Sequence, residues 1–306
     1  MKITAKIFIL ASLILLSFLA VVQSAPAADT ALLVDNAWVS VHRPEVTLID
    51  VRGRDAYMQG HILGAINIPI TDLRTQPDGL MVPVAAAEEL LGNKGLSIEK
   101  EVVLYGSGRE DAFLAFWMLD FLGMRRVHVL DGGIENAQSK LSATESGLAR
   151  SVFKAEPILT ERADSDYIKA VLYRNSVNII DARTDAEYKG EDVRALRGGH
   201  IPGAVNINFA QNFQGNTTIL KPHPDLANIY GRLDPGKEII VYCQTGVRAS
   251  NTFFVLKELG FKQVRVYMPS WVEWGSRQDL PVEDVTYFNF VSILKRLSEL
   301  EKQKGE

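Results

Sequence analysis

Short runs rich in β-branched residues alternate along this chain with longer stretches in which apolar side chains recur every three or four positions. NIID at 178–181, AVNIN at 204–208, EIIVYC at 238–243 and VRVY at 264–267 read as strands. Helical spacing separates them near 185–188, 226–231 and 249–259, the last carrying Ala249, Phe253, Leu256 and Leu259 on one face. This alternation predicts an α/β fold, a mainly parallel sheet with helices on both faces. Ligands of such sheets bind beyond the carboxyl ends of the strands. Cys243 falls at one of those ends.

The pattern occurs twice. TLIDVRGRDAYMQGHILGAINIP at 47–69 returns as NIIDARTDAEYKGEDVRALRGGHIPGAVNIN at 178–208, with eight additional residues between the shared Asp and the shared His. VVLYGSGRED at 102–111 then pairs with IIVYCQTGVR at 239–248, which sets Gly106 opposite Cys243. The chain is therefore read as two tandem domains, 31–137 and 166–284, joined by a weakly periodic connector at 138–165. After them, Phe290, Val291, Leu294, Leu297 and Leu300 stand at helical spacing, and the expectation is a carboxyl-terminal helix over 285–306 that caps the domain surface.

Lys2 and Lys6 precede a run, 7–22, that is apolar except for Ser12 and Ser17, and Ala25 and Ala27 follow at the spacing of a cleavage site. The run is short of the roughly 20 residues that span a bilayer. Residues 1–27 are thus expected to be a secretory signal removed after Ala27, and the protein to be exported, to the periplasm. Membrane attachment would require that segment to stay uncleaved. Its removal moves the formal charge from −4 to −6, because it carries two lysines and no acids. Signs are otherwise interspersed, with no basic stripe, so nucleic acid is not an expected partner. A monomer is compatible with this pattern.

A chain with one cysteine forms no internal disulfide, even in a compartment that would permit it. The bland reading of Cys243 is a small buried hydrophobe. Its position favours another: a strand ends, a loop with Gly246 follows, and a helix begins near Arg248. Unpaired N–H groups of such a loop and of a first helical turn favour an anion. A thiolate, the reactive form of a group whose ordinary pKa is about 8.5, is such an anion. His61 and His200 occupy matching places in the repeat, and since the first copy has no thiol to serve, both read as structural. The other histidines show no ligand spacing, and no metal or organic cofactor is expected.

The repeated DxR, the twice-occurring GHIxGAxNI, the C-x4-R loop and WVEWGSRQDLPVE together resemble the two-domain rhodanese-like sulfurtransferases, the thiosulfate and 3-mercaptopyruvate sulfurtransferases, from about residue 31 to 283. The resemblance implies that Cys243 carries a persulfide cradled by Gln244, Thr245, Gly246, Val247 and Arg248. It implies a small-molecule sulfur donor and a thiol or cyanide acceptor. It puts the family's substrate-anion arginine on Arg183, and a further anion-binding arginine on Arg194 or Arg197. Two competing roles stand beside these. Arg183 either meets substrate or serves only as an ion-pair partner of Asp181 or Glu187, and Arg248 either meets substrate or holds the loop closed through a buried carboxylate such as Asp181.

Departures from the family pattern bear on the donor. Gln244 and Thr245 are neutral where thiosulfate-type loops of the CRKGVT kind carry two cations. Gln244 and Arg248 replace the Gly and final Thr of the mercaptopyruvate-type CGSGVT. MPS at 268–270 replaces the DGG found at 131–133, and a restructured turn is expected there. A phosphatase or arsenate reductase of the same fold is the rival enzyme, although its loop has five residues between Cys and Arg and this one has four. A sulfur- or partner-binding module without turnover is the non-enzymatic rival. The first copy, with Gly106 for the thiol and Glu110 and Asp111 at its helix start, reads as a silent domain lining the cleft of the second.

Overall fold

The structure, a computed structural model, describes residues 31–287. Residues 1–27, expected to be an export signal, and the apolar tail positions from Phe290 to Leu300 lie outside the described residues. In the first half, β1 (Leu33–Val34), α1 (Asn36–His42), β2 (Thr47–Asp50), α2 (Arg54–Gln59), β3 (His61–Ile62) and β4 (Ile66–Asn67) are followed by α3 (Val84–Asn93), β5 (Val102–Tyr105), α4 (Asp111–Phe121) and β6 (Val127–Leu130). The connector supplies β7 (Leu141–Ser142) and β8 (Arg162–Ala163). The second half then runs α5 (Ser165–Val171), β9 (Val177–Asp181), α6 (Asp185–Tyr188), β10 (Arg197–His200) and β11 (Val205–Asn206). It continues through α7 (His223–Tyr230), β12 (Glu238–Tyr242), α8 (Val247–Glu258), β13 (Val264–Tyr267), α9 (Ser270–Trp274) and β14 (Glu283–Tyr287).

Two five-stranded sheets result, ordered β1-β6-β5-β2-β4 and β8-β13-β12-β9-β11. All their strand pairs are parallel, and the two orders are one order written twice. The apolar runs explain the central strands: Ile239, Ile240, Val241 and Tyr242 are all buried, as a strand covered on both faces requires. Asp35 and Asp164 open α1 and α5 alike, each accepting from the amide three residues on at 2.8 Å. Two boundaries differ from the sequence reading. The second sheet already begins inside the connector, at β8. The segment from residue 285 opens as strand, not helix: β14 pairs antiparallel with β10, as β7 pairs with β3 in the first half. Duplication overrides local propensity there, because β10 needs the edge partner that its counterpart β3 has.

The halves meet along α4 and α8, the two helices that follow the Gly106 and Cys243 loops. Phe254 takes the rings of Phe113 and Phe116 edge-on, with centroids 5.0 and 4.8 Å away. Under the repeat, Phe116 is the counterpart of Phe253, 6.5 Å away, and Asp120 that of Lys257, whose Nζ lies 3.1 Å from Asp120 Oδ2. Counterparts that touch at both points mean that the helices lie side by side with their amino ends at the same end. One apolar cluster consequently runs through both halves, from Ile49 and Leu104 to Val241 and Phe254. Burying a Phe in such a seam and then truncating it to Ala costs about 3–5 kcal/mol.

Lys257 also meets Glu161 Oε1 at 2.8 Å, so one ammonium serves two carboxylates at the seam. Burial, reinforced by the Asp120 charge, pushes the Glu161 carboxyl up to about 7. Its folded value exceeds its ordinary 4.5, so the folded protein holds the extra proton between those values. The associated stability is complete below about 4.5 and lost as pH rises through about 7. Urea-unfolding midpoints should therefore fall between pH 5 and pH 8, and Glu161→Gln, which mimics the protonated acid, should flatten that fall. A variant profile parallel to wild type would contradict this origin.

Candidate active site

Cys243 stands one residue beyond β12 and is 1% exposed, beneath a loop whose Thr245 is exposed and whose Gln244, Val247 and Arg248 are half-buried. Its own amide donates to Ser270 Oγ at 3.1 Å and its carbonyl accepts from the Trp271 amide at 3.0 Å. The next five amides, of Gln244, Thr245, Gly246, Val247 and Arg248, meet no acceptor among the described residues. Unpaired donors at the start of a 12-residue helix are the expected anion-binding groups. The loop can turn this tightly because Gly246 adopts φ +81°; a Cβ there would lie against Met268 Sδ and 2.7 Å from its carbonyl oxygen.

Arg248 decides the loop's shape. Its guanidinium forks onto Glu187, Nη1 to Oε2 at 2.7 Å and Nη2 to Oε1 at 2.8 Å. Glu187 is fully buried and belongs to a capping box: Thr184 gives it an amide and a hydroxyl hydrogen, both at 3.0 Å, and accepts the Glu187 amide in return. Burial opposes ionisation of that carboxyl, but the Arg248 fork and the Thr184 amide outweigh it and hold it down at about 2. Burial likewise opposes the charge on Arg248, and Glu187 together with the nearby Cys243 and Glu110 raises its pKa regardless. The carboxylate expected to close the loop was Asp181. Glu187 does so instead, because α6 aims it at the loop while Asp181 is already taken.

The partner of Asp181 is Arg183, whose Nε lies 3.0 Å from both carboxylate oxygens and whose Nη2 meets Oδ2 at 2.6 Å and the Gly199 carbonyl at 2.7 Å. Arg183 is 1% exposed and lies over the Trp271 ring at 4.4 Å. The first half repeats the device, with Arg52 on Asp50 and on the Gly60 carbonyl. Arg183 is thus committed through Nε and Nη2 inside the core, the ion-pair role that was one of the two expected for it. Arg197 turns inward as well. It caps backbone carbonyls of Trp274, Gly275, Arg277 and Leu280 around the end of α9. Of the three expected anion-binding arginines, Arg194 alone stands by the loop. Its guanidinium is half exposed, pairs with Asp192 at 2.6 Å and comes within 3.7 Å of Glu187, and its carbonyl accepts from Gln244 Nε2 at 2.9 Å.

His200 and His61 are buried alike, each ring stacked on a tyrosine, Tyr188 or Tyr57, and bonded through Nδ1 to that residue's carbonyl. The Asn of each GAxNI motif, Asn67 or Asn206, ties down the carbonyls on either side of the DxR strand end. The 268–270 turn is restructured at its centre, where Pro269 is right-handed at φ −61° and its counterpart Gly132 left-handed at φ +77°, while its end is kept. Ser270 holds φ +53° where Gly133 holds +59°, and Trp271 bonds Cys243 as Ile134 bonds Gly106. Ser270 tolerates the left-handed backbone because its hydroxyl is bonded twice, to the Tyr267 carbonyl and from the Cys243 amide. Sequence reasoning passed over Ser270 and Thr184. Thr184-x-x-Glu187 was readable as a capping box, and Ser270 stood out only as part of MPS in place of DGG.

In the first half the equivalent loop is already occupied: the Gly108 amide donates to Glu135 Oε1 at 3.0 Å. Arg109 leaves that loop to bond the carbonyls of Gly215 and Thr217 in the other half, both at 2.7 Å. Among the described residues no group of three His, Cys, Asp or Glu could hold a metal ion.

These features define a duplicated α/β protein in which one copy presents a lone cysteine at the head of an amide-lined loop. The model of the rhodanese-like domain matches the sequence twice, at 34–140 and 164–277, and the chain belongs to that family. It is similar to thiosulfate sulfurtransferases of Azotobacter vinelandii, 36% identical over 258 residues, and of Pseudomonas aeruginosa, 34% identical over 255 residues; each match covers 78% of this chain and 92% of the relative. A putative thiosulfate sulfurtransferase of Mycobacterium tuberculosis is 33% identical over 83% of this chain and 98% of its own. The protein is a sulfurtransferase in class. Its fold also matches the wild-type structure of EanB, with a TM-score of 0.76 and 22% identity over 82% of this chain and 69% of that one. An anaerobic ergothioneine biosynthesis enzyme from Chlorobium limicola, in complex with trimethyl histidine, matches at the same TM-score and identity, over 82% and 70%.

Removing Arg248 leaves Glu187 charged and uncompensated in the core, a change that typically costs about 3–5 kcal/mol. Arg248→Ala should lower unfolding stability within that range at neutral pH. Because the folded carboxyl is depressed from 4.5 to about 2, the stability it contributes is present above pH 4.5 and is lost as pH falls toward 2. The wild-type and variant unfolding curves should accordingly converge at acid pH, and a constant gap down to pH 2 would contradict the pairing.

Proposed function

We propose that Cys243 is the nucleophile of a double displacement in which a sulfane sulfur passes through a persulfide. The Cys243 thiolate attacks the outer sulfur of thiosulfate, the S–S bond breaks, and its electron pair leaves with sulfite. With 3-mercaptopyruvate the C–S bond breaks instead, and the pyruvate enolate leaves and takes up a proton. A thiol or cyanide then attacks the outer sulfur, and the Cys243 thiolate departs. The observation that carries this reading is the set of five open amides behind a lone thiol, which can stabilise anionic sulfur in both half reactions as an oxyanion hole stabilises oxygen.

Thiosulfate is the donor favoured by the names of the relatives in both A. vinelandii and P. aeruginosa. The neutral Gln244 and Thr245 leave Arg194 as the exposed cation next to the loop, which suits one anionic group better than a dense double charge. Phosphoryl transfer is the weaker reading, since four residues between Cys243 and Arg248 make a tight ring. We read residues 1–27 as an export signal that takes the mature protein to the periplasm.

Intact-mass spectrometry after incubation with thiosulfate, and separately with 3-mercaptopyruvate, checks these assignments. One added sulfur on Cys243, absent from a folded Cys243→Ser variant that also lacks turnover, is the expected result. Turnover surviving in that variant would remove the nucleophile. The same spectra of exported protein report whether the mature chain begins at Ala28; a retained leader would end the export reading.

A further inference from the structure

We infer that Glu110, contributed by the silent half, is a specificity-determining residue of the active loop: its carboxylate holds back doubly charged donors from Cys243. This inference builds on the reading of Cys243 as the sulfur carrier. It rests on placement. Because α4 and α8 lie side by side with counterparts Phe116 and Phe253, and Asp120 and Lys257, in contact, their amino ends share one end of the seam. Glu110 precedes the first residue of α4, and its counterpart under the repeat is Val247, the first residue of α8. It is half-buried, and among the described residues its carboxylate caps no amide and forms no hydrogen bond or ion pair. A carboxylate left unpaired beside a loop of open amides acts on whatever approaches that loop.

The charges around it are already committed. Arg248 is forked onto Glu187, Arg194 onto Asp192, and Arg74 bonds the Gly79 carbonyl at 2.9 Å. Burial pushes the Glu110 carboxyl above its ordinary range, with Arg248 and Arg74 pulling it back and Asp111 adding to the rise. With Glu187 and Asp192 spent on Arg248 and Arg194, Glu110 and Asp111 are the acids at the amino end of α4, and Glu110 and Arg248 lie close enough for each to shift the other's ionisation. One unit charge about 8 Å from another in a half-wet cleft changes encounter by about threefold, and a dianion by about tenfold.

The test compares alkylation of Cys243 by anionic iodoacetate and neutral iodoacetamide in wild type and in Glu110→Gln, at pH 8 and low salt. The ratio of the two rates cancels any change in the thiol itself. The expected result is a rise of about threefold in the iodoacetate-to-iodoacetamide ratio, with a rise of about tenfold in kcat/KM for thiosulfate, both shrinking in 1 M salt, where screening is short-ranged. A merely structural Glu110 would shift both reagents together, and an unchanged ratio would overturn the inference. Since alkylation requires no sulfur transfer, a changed ratio without persulfide would defeat the transfer reading alone, and persulfide with an unchanged ratio would defeat this inference alone.

Discussion

A single buried ion pair, Arg248 on Glu187, is the constraint on which the active loop depends. A loop of five unpaired amides has no internal reason to keep its shape, since its donors would be equally satisfied by water. Forking the last loop residue onto a carboxylate that Thr184 already orients replaces that missing ladder with a fixed point. At the other end, Ser270 and Trp271 fix both backbone groups of Cys243. Between those anchors the amides stay open because no acceptor among the described residues is placed to receive them. Pairing of this kind is costly to assemble and more costly to break, which suits a role in specifying geometry more than in adding stability.

The duplication shows which parts are scaffold. Asp50–Arg52 and Asp181–Arg183, the two stacked histidines, the two carbonyl-binding asparagines and the left-handed Gly133 and Ser270 occur once in each half and do the same work in both. What occurs once separates the halves chemically. The second has the thiol and the Arg248–Glu187 fork. The first has a glycine, and a carboxylate, Glu135, that already accepts from its loop. The first copy nevertheless completes the other: its helix α4 supplies half of the apolar seam, Arg109 ties down the Gly215 and Thr217 carbonyls, and Asp131 accepts from the Leu220 amide at 3.0 Å.

Much of this was legible in the sequence, because strand runs, helical spacing and a long repeat all report burial, and burial follows hydrophobicity. The two sheets, the helix after Cys243 and the opposition of Gly106 to Cys243 emerged that way. Arginine roles were not legible. Spacing says that Arg183, Arg194 and Arg197 lie close to the site in sequence, but only packing says which way a long side chain reaches. Arg183 turns inward onto Asp181 and Trp271, and Arg197 onto four carbonyls. The repeat itself held the warning for Arg183, since Arg52 occupies the same motif in a half with no thiol. The strand at 283–287 escaped notice because its reason is the empty edge of β10, a partner nearly a hundred residues away.

The account stands or falls on where the transferred sulfur sits. A crystal structure of thiosulfate-treated protein measures this directly. The account predicts an outer sulfur on Cys243 within hydrogen-bonding reach of the amides between Gln244 and Arg248, with the Arg248–Glu187 fork intact. An outer sulfur turned away from those amides, or a loop whose amides are bonded to other groups, would contradict it.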